Sequence, residues 1–555
     1  MCMRETLFGD YPIPDDTRHV AQAAFPKGNL YLQLRDRFGM LYTNQHFAHL
    51  FAPAGKPALA PARLALVLCL QFIEDLSDQQ AADAVRDRIS WKYLLGLPLD
   101  DPGFDASVLS EFRARLLKDD ATTLLLDAVL ELCRDAGLLK GRSKQRTDST
   151  YVLASIRDLS RLENVAETLR HALNQLALHA PDWLRAHAEA AWVERYGMRI
   201  TEYRLPEAEG ERQALVQVIG QDGYRLLEAI YHSASPTELR ELPAVQTLRQ
   251  VWVQQYYRCD DPATPVLRWR TRDEQPPSAQ IISSPYDPEA RYKTKRDTSW
   301  IGYSVHLTET CEDDTPNLIT QVTTTSASVD DHTMLAPIQA DLAARDMLPS
   351  EHYVDSGYVD AQALVDSQRQ QIKLVGPMQA DGCWQARTPN GITNTQFVLD
   401  WDAEQAVCPE GKLSRTWQPC TDGHNNAGIV VRFAREDCLT CSRRTDCTRG
   451  QKQGRQLMLR PREQHLALLS ARAWQESAEF KAQYSRRAGV EGTFTQANRR
   501  GDLRHARYIG LAKTHLQNVI IAVALNVLRV LAWLGEVPRA TTRTSPFARL
   551  MIASP

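Results

Sequence analysis

Apolar residues recur at helical spacing through the first part of the chain. Residues 61–76 form one apolar run, and a second helix follows from a natural cap at Ser77 or Asp78. A third begins near Asp105 or Ser107, with Phe112 on its apolar side. Short helices with basic tips suit a helix-turn-helix DNA reader, and they suit any small helical bundle equally well.

The pattern changes to strands after residue 142. Residues 143–154 are rich in Thr, Tyr and Val, which predicts a strand. A long helical stretch then continues to about Tyr257. Four further strands are predicted at 300–309, 317–326, 351–355 and 372–377, with helices near 333–345, 359–370 and 463–534.

Without the two long inserts, three consecutive strands are followed by alternating helices and strands. This order predicts an α/β fold around a mixed five-stranded sheet with helices on both faces. The predicted divisions are a helical N-terminal DNA-binding domain at 1–140, a catalytic core at 141–155, 295–380 and 463–535, a mainly helical insert at 156–294, a Cys-rich insert at 381–462 and a flexible tail at 536–555.

The bulk composition narrows the class of protein. A chain of 555 residues with 43% hydrophobic and 24% charged residues is an ordinary multi-domain folded protein. No signal peptide is visible, and the apolar stretch 519–534 is interrupted by Asn526 and Arg529, which predicts a buried core helix. We therefore expect a cytoplasmic bacterial protein without a membrane span.

A net charge of −3 conceals a strongly basic segment. Between Lys481 and Lys513 there are eight Lys or Arg residues against Glu491 and Asp502. Clustered cations favour a polyanion-binding face, because binding releases counterions. The alternative is a solvated helix surface.

Three acidic residues lie where a carboxylate needs an explanation. Asp148 lies within a strand, Asp355 ends a strand before a turn, and Glu491 shares a predicted helix face with Tyr484 and Arg487. Gly489 and Gly492 flank the glutamate, which indicates a close backbone approach. Any one of these acids is as well explained as a turn cap or a surface ion pair. Asp297, Asp330, Asp331 and Asp502 are second choices.

Carboxylates that converge from different elements suit divalent-metal chemistry. Phosphodiester cleavage needs an activated water and a stabilised leaving oxygen, and two metal ions can supply both. Magnesium is bound by a few carboxylates together with substrate phosphates. No phosphate-binding loop of the G-x-x-x-x-G-K-[ST] type is present to indicate ATP use.

The segments "RTDSTYVLA", "HYVDSGYVDA" and "YSRRAGVEGTFTQANRR" resemble the three acidic motifs of bacterial insertion-sequence DDE transposases with an RNase H-like core. The subclass with Tyr-x2-Arg-x3-Glu spacing fits best, and the insertion-sequence-eleven-eighty-two family is the most similar. The resemblance implies that Asp148, Asp355 and Glu491 bind Mg²⁺ or Mn²⁺. It also implies that Tyr484 and Arg487 contact DNA. The family pattern has a lysine where this chain has Asn498, and Arg499 or Arg500 would take over its phosphate contact.

Four cysteines fall within one insert. Cys438, Cys441 and Cys447 follow Cys408 at a distance, and Cys420 or His424 could replace one of them. The spacing suits a tetrahedral structural zinc site and equally suits reduced thiols in a small core. Similar insertion-sequence proteins often carry such a set, which favours Zn²⁺.

The resemblance implies an enzyme that cleaves transposon ends and transfers the strands into target DNA. Its partner would be double-stranded DNA, at terminal inverted repeats and at the target site. A homodimer would bring two ends together. The alternatives are a metal-dependent nuclease that does not join strands, and a catalytically idle DNA-binding regulator descended from a transposase.

Overall fold

The structure, a computed structural model, describes residues 11–118, 121–201, 203, 205–258, 267–295, 297–423, 425–538 and 547. Most of the predicted tail lies outside these residues. The strands, in chain order, are β1 (Gln145–Leu153), β2 (Tyr256–Arg258), β3 (Leu267–Trp269), β4 (Arg291–Lys295), β5 (Thr298–Thr310), β6 (Ile319–Ser326), β7 (Glu351–Val354), β8 (Lys373–Val375), β9 (Val398–Asp400), β10 (Gln405–Val407), β11 (Ser414–Thr421), β12 (Ala427–Phe433) and β13 (Gln456–Leu459).

The α-helices fall into three groups along the chain. Seven precede β1: α1 (Asp15–Ala24), α2 (Leu30–Phe38), α3 (Pro61–Ile73), α4 (Asp78–Asp87), α5 (Ile89–Leu95), α6 (Ser107–Lys118) and α7 (Leu124–Asp135). Six follow it: α8 (Arg161–His179), α9 (Pro181–His187), α10 (Ala190–Tyr196), α11 (Glu209–Tyr231), α12 (Glu238–Glu241) and α13 (Pro243–Gln255). The remaining helices are α14 (Leu335–Ala344), α15 (Ala361–Arg369), α16 (Arg435–Leu439), α17 (Arg444–Cys447), α18 (Arg462–Gln475), α19 (Ala478–Tyr484), α20 (Gly489–Gly501) and α21 (Leu511–Leu534).

The central sheet is mixed, as predicted, but has six strands rather than five. β1 pairs antiparallel with β5 and parallel with β7, and β8 extends the parallel side. β5 is long enough to pair with β6 over Tyr303–Glu309 and with β4 over Thr298–Gly302. The additional strand β4 arises because β5 has room for two partners on one edge. The order β6-β5-β1-β7-β8 is consistent with an RNase H-like core.

One apolar cluster joins the N-terminal helices to this sheet. It contains residues of α3 such as Leu66 and Leu70, residues of α21 such as Ile521 and Leu525, and sheet residues such as Val305. α21 packs against β6 of the sheet and against the N-terminal helices α3 and α7. It is long and apolar enough to cross a membrane, but 78% of its most apolar window is buried. The prediction of a core helix is confirmed.

The two inserts have apolar clusters of their own. Helices α8 to α13 surround a cluster that includes Leu169, Leu226 and Trp252. The Cys-rich segment contains a two-stranded sheet, β9-β10, and a three-stranded antiparallel sheet, β11-β12-β13. Its cluster is small and includes Phe397, Val431 and Leu457.

Candidate active site

The sheet register brings Asp148 and Asp355 to neighbouring strands. Thr147 of β1 is opposite Val354, the last residue of β7. Asp148 follows Thr147 within β1, and Asp355 follows Val354 immediately after the end of β7. The Oδ1 atom of Asp148 accepts a hydrogen bond of 2.8 Å from the Ser149 N–H, and Oδ1 of Asp355 accepts one of 2.8 Å from the Ser356 N–H. One oxygen of each carboxylate thus accepts from the main-chain N–H of the following residue, and the second oxygen of Asp148 contacts Arg487.

Arg487 connects the first aspartate to the glutamate. Its Nη2 atom donates to Oδ2 of Asp148, and Nη1 lies 3.6 Å from Oε1 of Glu491. The Asp148 side chain is 11% exposed, whereas that of Glu491 is 70% exposed. The glutamate therefore lies on the solvent side of the arginine.

Tyr484, Arg487 and Glu491 do not lie on one continuous helix, contrary to the sequence-based prediction. α19 ends at Tyr484, a 3-10 turn covers Ser485–Ala488, and α20 begins at Gly489. Arg146 of β1 approaches the end of this turn closely: a Cβ at Gly489 would lie 2.0 Å from its Nη1 atom. Gly489 therefore meets the predicted backbone approach, while Gly492 has nothing within 4 Å of a built Cβ.

A buried ion cluster fixes α20 to the sheet. Glu309 of β5 has no exposed surface, and it lies 2.7 Å from both Arg146 and Arg529. Thr493 of α20 donates to the same carboxylate at 2.6 Å, and Arg146 Nη1 donates to the Arg486 carbonyl at 2.6 Å. Burial raises the pKa of Glu309, but the two guanidiniums outweigh it and leave that pKa below its ordinary value. The strand that carries Asp148 and the helix that carries Glu491 are thereby held in one position.

Burial makes Asp148 a carboxylate in need of a cation. The pKa of Asp148 is raised to about 6, mainly by loss of solvent and in smaller part by the nearby charge of Asp355. Arg487 and the Ser149 N–H act in the opposite direction. Because a buried carboxylate is costly without a counter-charge, this position favours a bound positive ion or group.

The three acids line one open cleft of about 550 Å³. Its titratable lining comprises four acids and four bases: Asp148, Asp331, Asp355, Glu491, Lys293, Lys295, Arg487 and Arg504. Asp331 is the one second-choice acid in this lining; it lies 3.0 Å from Lys295 and accepts from Ser149 at 3.1 Å. Asp297, Asp330 and Asp502 do not line the cleft.

Two buried histidines lie beneath the carboxylates. His352 contacts the Thr147 hydroxyl at 2.7 Å, and His306 contacts the Tyr358 hydroxyl at 2.6 Å. Both have no exposed surface, and burial lowers the pKa of His352 to about 3 and that of His306 to about 4. They are therefore neutral supports of the sheet at neutral pH.

The predicted DNA contacts divide into two groups. Tyr484 is half-buried beside the acids; burial raises its pKa, Arg487 lowers it, and Asp355, Asp148 and Glu491 raise it. Arg499 and Arg500 are exposed on α20 and do not line the cleft. Arg504 does line it, and sequence reasoning missed this residue. The feature of the sequence that could have pointed to Arg504 is Asn498. Its Oδ1 atom accepts a 3.2 Å hydrogen bond from the Arg504 N–H.

Three of the predicted zinc ligands pack against one small apolar cluster. Cys408, Cys438 and Cys447 border it, and Cys441 is close enough to affect the pKa of Cys447. The Lys412 N–H and the Arg455 N–H donate to the sulfurs of Cys408 and Cys438, each at 3.3 Å. The Cys420 sulfur lies 3.4 Å from that of Met458, and His424 lies outside the described residues.

Neither set is assembled as a finished metal site. Within the part of the chain that the structure describes, no three or more His, Cys, Asp or Glu side chains are arranged to hold one ion. Around the carboxylates, Arg487 occupies the position between Asp148 and Glu491. The donor chemistry nevertheless fits: oxygen ligands suit a hard divalent cation and thiols suit zinc.

Two segments of the chain match known families. Residues 407–531 match the model of a transposase DDE domain, and residues 19–115 match that of a transposase domain. The first match includes Glu491, whereas Asp148 and Asp355 lie before it. No curated protein matches the chain. Together the two matches support a transposase role in general for this chain.

Proposed function

We propose that the chain cleaves DNA at transposon ends and transfers the freed strands into target DNA, with Asp148, Asp355 and Glu491 as the catalytic carboxylates. One observation carries the proposal. The parallel register of β1 and β7 makes Asp148 and Asp355 neighbours, and Arg487 links Asp148 to Glu491 from a third element. Acids from three distant parts of the chain thus line one cleft.

The residues around the cleft suit phosphoryl transfer. Bound Mg²⁺ or Mn²⁺ would supply charge that activates the attacking oxygen and stabilises the leaving one. Asp148 and Asp355 would hold such ions through the oxygens that their own main chain leaves free, and Glu491 would complete the set. Arg487 would exchange its carboxylate partners for DNA phosphate, for which a guanidinium has suitable geometry.

Cleavage and joining are both displacements at the phosphorus atom of a phosphodiester. In cleavage, a water oxygen forms a bond to phosphorus, the bond from phosphorus to the 3′ oxygen breaks, and that oxygen takes a proton to become a 3′-hydroxyl. In joining, this hydroxyl loses its proton and attacks a target phosphodiester, whose own 3′ oxygen leaves and is protonated. No net oxidation or reduction occurs.

The proposed function also gives roles to the helical regions, to a second copy of the chain and to the cysteines. The N-terminal helices and the helical insert would hold the terminal inverted repeats, and a homodimer would hold two ends together. Cys408, Cys438, Cys441 and Cys447 would bind a structural Zn²⁺. Its support is their common location, with two main-chain N–H groups directed at sulfur.

Cleavage and joining of DNA from the ends of the element test the proposal. The wild type should cut this DNA with Mg²⁺ and should join pre-cleaved ends to a target plasmid. Asp148→Asn and Glu491→Gln should each lose activity by about 10³-fold or more, because the charge that orients the reaction is removed. Asp366→Asn, on the surface of α15, is the matched control and should keep it.

The outcomes separate the alternatives. Cleavage without joining would identify a nuclease. If neither reaction occurs while the DNA is still bound, the chain is an idle regulator. Equal activity in the wild type and in Asp148→Asn would contradict the proposed site.

A further inference from the structure

Part of the cleft lining is cationic and has no role in the proposed chemistry. It consists of Arg504, in the segment after α20, and of Lys293 and Lys295 on β4. Tyr151, near the end of β1, lies among them. These residues come from three distant parts of the sequence, so only the fold brings them together.

The main chain of Arg504 is fixed from both sides. α20 ends at Gly501, and Asp502 reverses the chain with a left-handed φ of 48°. The Arg504 N–H then donates to Asn498 Oδ1, and its carbonyl accepts from the Leu153 N–H at 2.8 Å. The Ala506 N–H donates to the Leu153 carbonyl at 2.9 Å. The segment after α20 therefore pairs with the end of β1 through an isolated parallel bridge.

The Arg504 side chain, in contrast, has donors without acceptors. Its guanidinium carbon lies 4.9 Å from the centre of the Tyr151 ring, and Nε is buried without a hydrogen-bond partner. Within the described ranges, no carboxylate oxygen lies within 4.0 Å of it. A guanidinium that is stacked on a ring and anchored through its backbone is preorganised for an anion.

The two lysines lie on a hairpin that extends past β1. β1 pairs with β5 only as far as Gly302, and the preceding residues of β5 pair with β4 alone. Gly302 is required there, since its φ is 153° and a Cβ would lie 2.1 Å from the Val152 carbonyl oxygen. Lys293 and Lys295, two residues apart, share one face of β4. Lys293 lies 3.5 Å from Asp330, and Lys295 lies 3.0 Å from Asp331.

We infer that Arg504, Lys293 and Lys295 form a binding track for the sugar-phosphate backbone of the DNA strand that the carboxylates cut. This inference rests on the proposed function. Arg504 makes the phosphate contact, rather than Arg499 or Arg500, because it lines the cleft and they do not. Asn498 contributes by holding the Arg504 main chain.

The charge balance of the cleft agrees with such a track. Its four acids and four bases cancel in the free protein, so the cleft alone attracts a polyanion weakly. When divalent ions neutralise Asp148, Asp355 and Glu491, the cleft gains net positive charge, and Arg487 loses its carboxylate partners and can face phosphate. Strand binding in this cleft should therefore strengthen with divalent cations.

Salt-dependent DNA binding tests the track. The probe is a fluorescein-labelled duplex with a single-stranded oligothymidine tail, titrated with Ca²⁺ present to allow binding without cleavage. The variants are Arg504→Gln, Lys293→Gln with Lys295→Gln, and Arg499→Gln with Arg500→Gln. Arg415→Gln, an exposed arginine of β11, is the control.

Arg504→Gln should weaken binding about tenfold, the loss of one charge-assisted contact. It should also lower the slope of log K against log salt by about 0.7–0.9. Arg504→Lys should restore the slope, because the charge is retained. The main-chain contacts of Arg504 do not need its side chain, so the variant should fold, and an unchanged melting temperature checks this.

The result that would overturn the track is an Arg504→Gln slope equal to that of Arg415→Gln. A slope lost only in the Arg499→Gln, Arg500→Gln variant would assign the contact to α20 instead. Failure of the proposed function gives a different result. DNA binding would still depend on Arg504, but the wild type would cut no DNA with Mg²⁺.

Discussion

The carboxylates of the cleft and the cysteines of the insert are positioned by cores of very different size. Asp148 and Glu491 are attached to the large cluster that joins the sheet, α21 and the N-terminal helices. The cysteines border a cluster of only seven buried residues, which are Ile392, Phe397, Ala406, Val431, Phe433, Leu457 and Leu459. A core this small rarely supplies enough stability alone. An ion at the first site would serve chemistry, and an ion at the second would serve folding.

Removing zinc should produce the largest effect and should affect the insert alone. Structural zinc contributes about 10–16 kcal/mol of apparent binding free energy in zinc-finger peptides. Burial raises the pKa of Cys447 to about 11, so a bound cation is needed to keep this sulfur a thiolate. With a chelator, or in Cys438→Ser, amide hydrogen-exchange protection should be lost in β11 to β13 and retained in β1 and α21.

The control for this prediction is Cys420→Ser, because the Cys420 sulfur contacts Met458. It should retain both the protection and one equivalent of zinc by elemental analysis. Purified wild-type protein that carries no zinc and keeps full protection in β11 to β13 would contradict the contrast between the two cores.

Replacing either glycine beside Glu491 by alanine should have an intermediate effect on the free energy of unfolding. The sign of the effect should differ between the two positions. A methyl at Gly489 would meet the Arg146 guanidinium, which cannot move freely because Glu309 and the Arg486 carbonyl hold it. Gly489→Ala should therefore destabilise the protein by about 1–3 kcal/mol. Gly492→Ala meets no neighbour and should stabilise it by up to about 1 kcal/mol through helix propensity.

Denaturant unfolding measures both variants, and the cleavage assay shows whether Gly489→Ala also displaces Glu491. Equal stabilities for the two variants would mean that the ion cluster around Glu309 does not fix α20 to β1.

Local patterns predicted most of the sheet, because each of its strands except β4 is a run of β-forming residues between turn signals. β4 was not predicted, because its sequence "RYKTK" is polar and it pairs only with the extended end of β5. The break between Tyr484 and Glu491 also escaped. Arg146, which donates to the Arg486 carbonyl within this turn, lies more than three hundred residues earlier in the chain, and helical spacing carries no information about such a neighbour.

The candidate site was predictable only where its residues belong to motifs. Asp148, Asp355 and Glu491 each lie in a short recognisable segment, and all three line the cleft. Arg504 and Lys295 lie outside the three acidic motifs, and their proposed role depends on a reversal at Asp502 and on a hairpin. The basic residues of α20 were the obvious candidates by sequence, yet Arg499 and Arg500 do not line the cleft.

The last contrast concerns the acid sensitivity of the sheet. His352 is buried with a pKa lowered to about 3, so the unfolded chain takes up a proton that the folded protein refuses. Stability from this residue is complete above about pH 6.5 and is lost as the pH falls towards 3. The loss should be roughly 1 kcal/mol per pH unit. His352→Gln keeps polar atoms near Thr147 and Gln339 and should reduce the slope of unfolding free energy against pH by that amount. If the slope of His352→Gln equals that of the wild type between pH 6 and 4, the imidazole of His352 is open to water, and the large core is not closed at this point of the sheet.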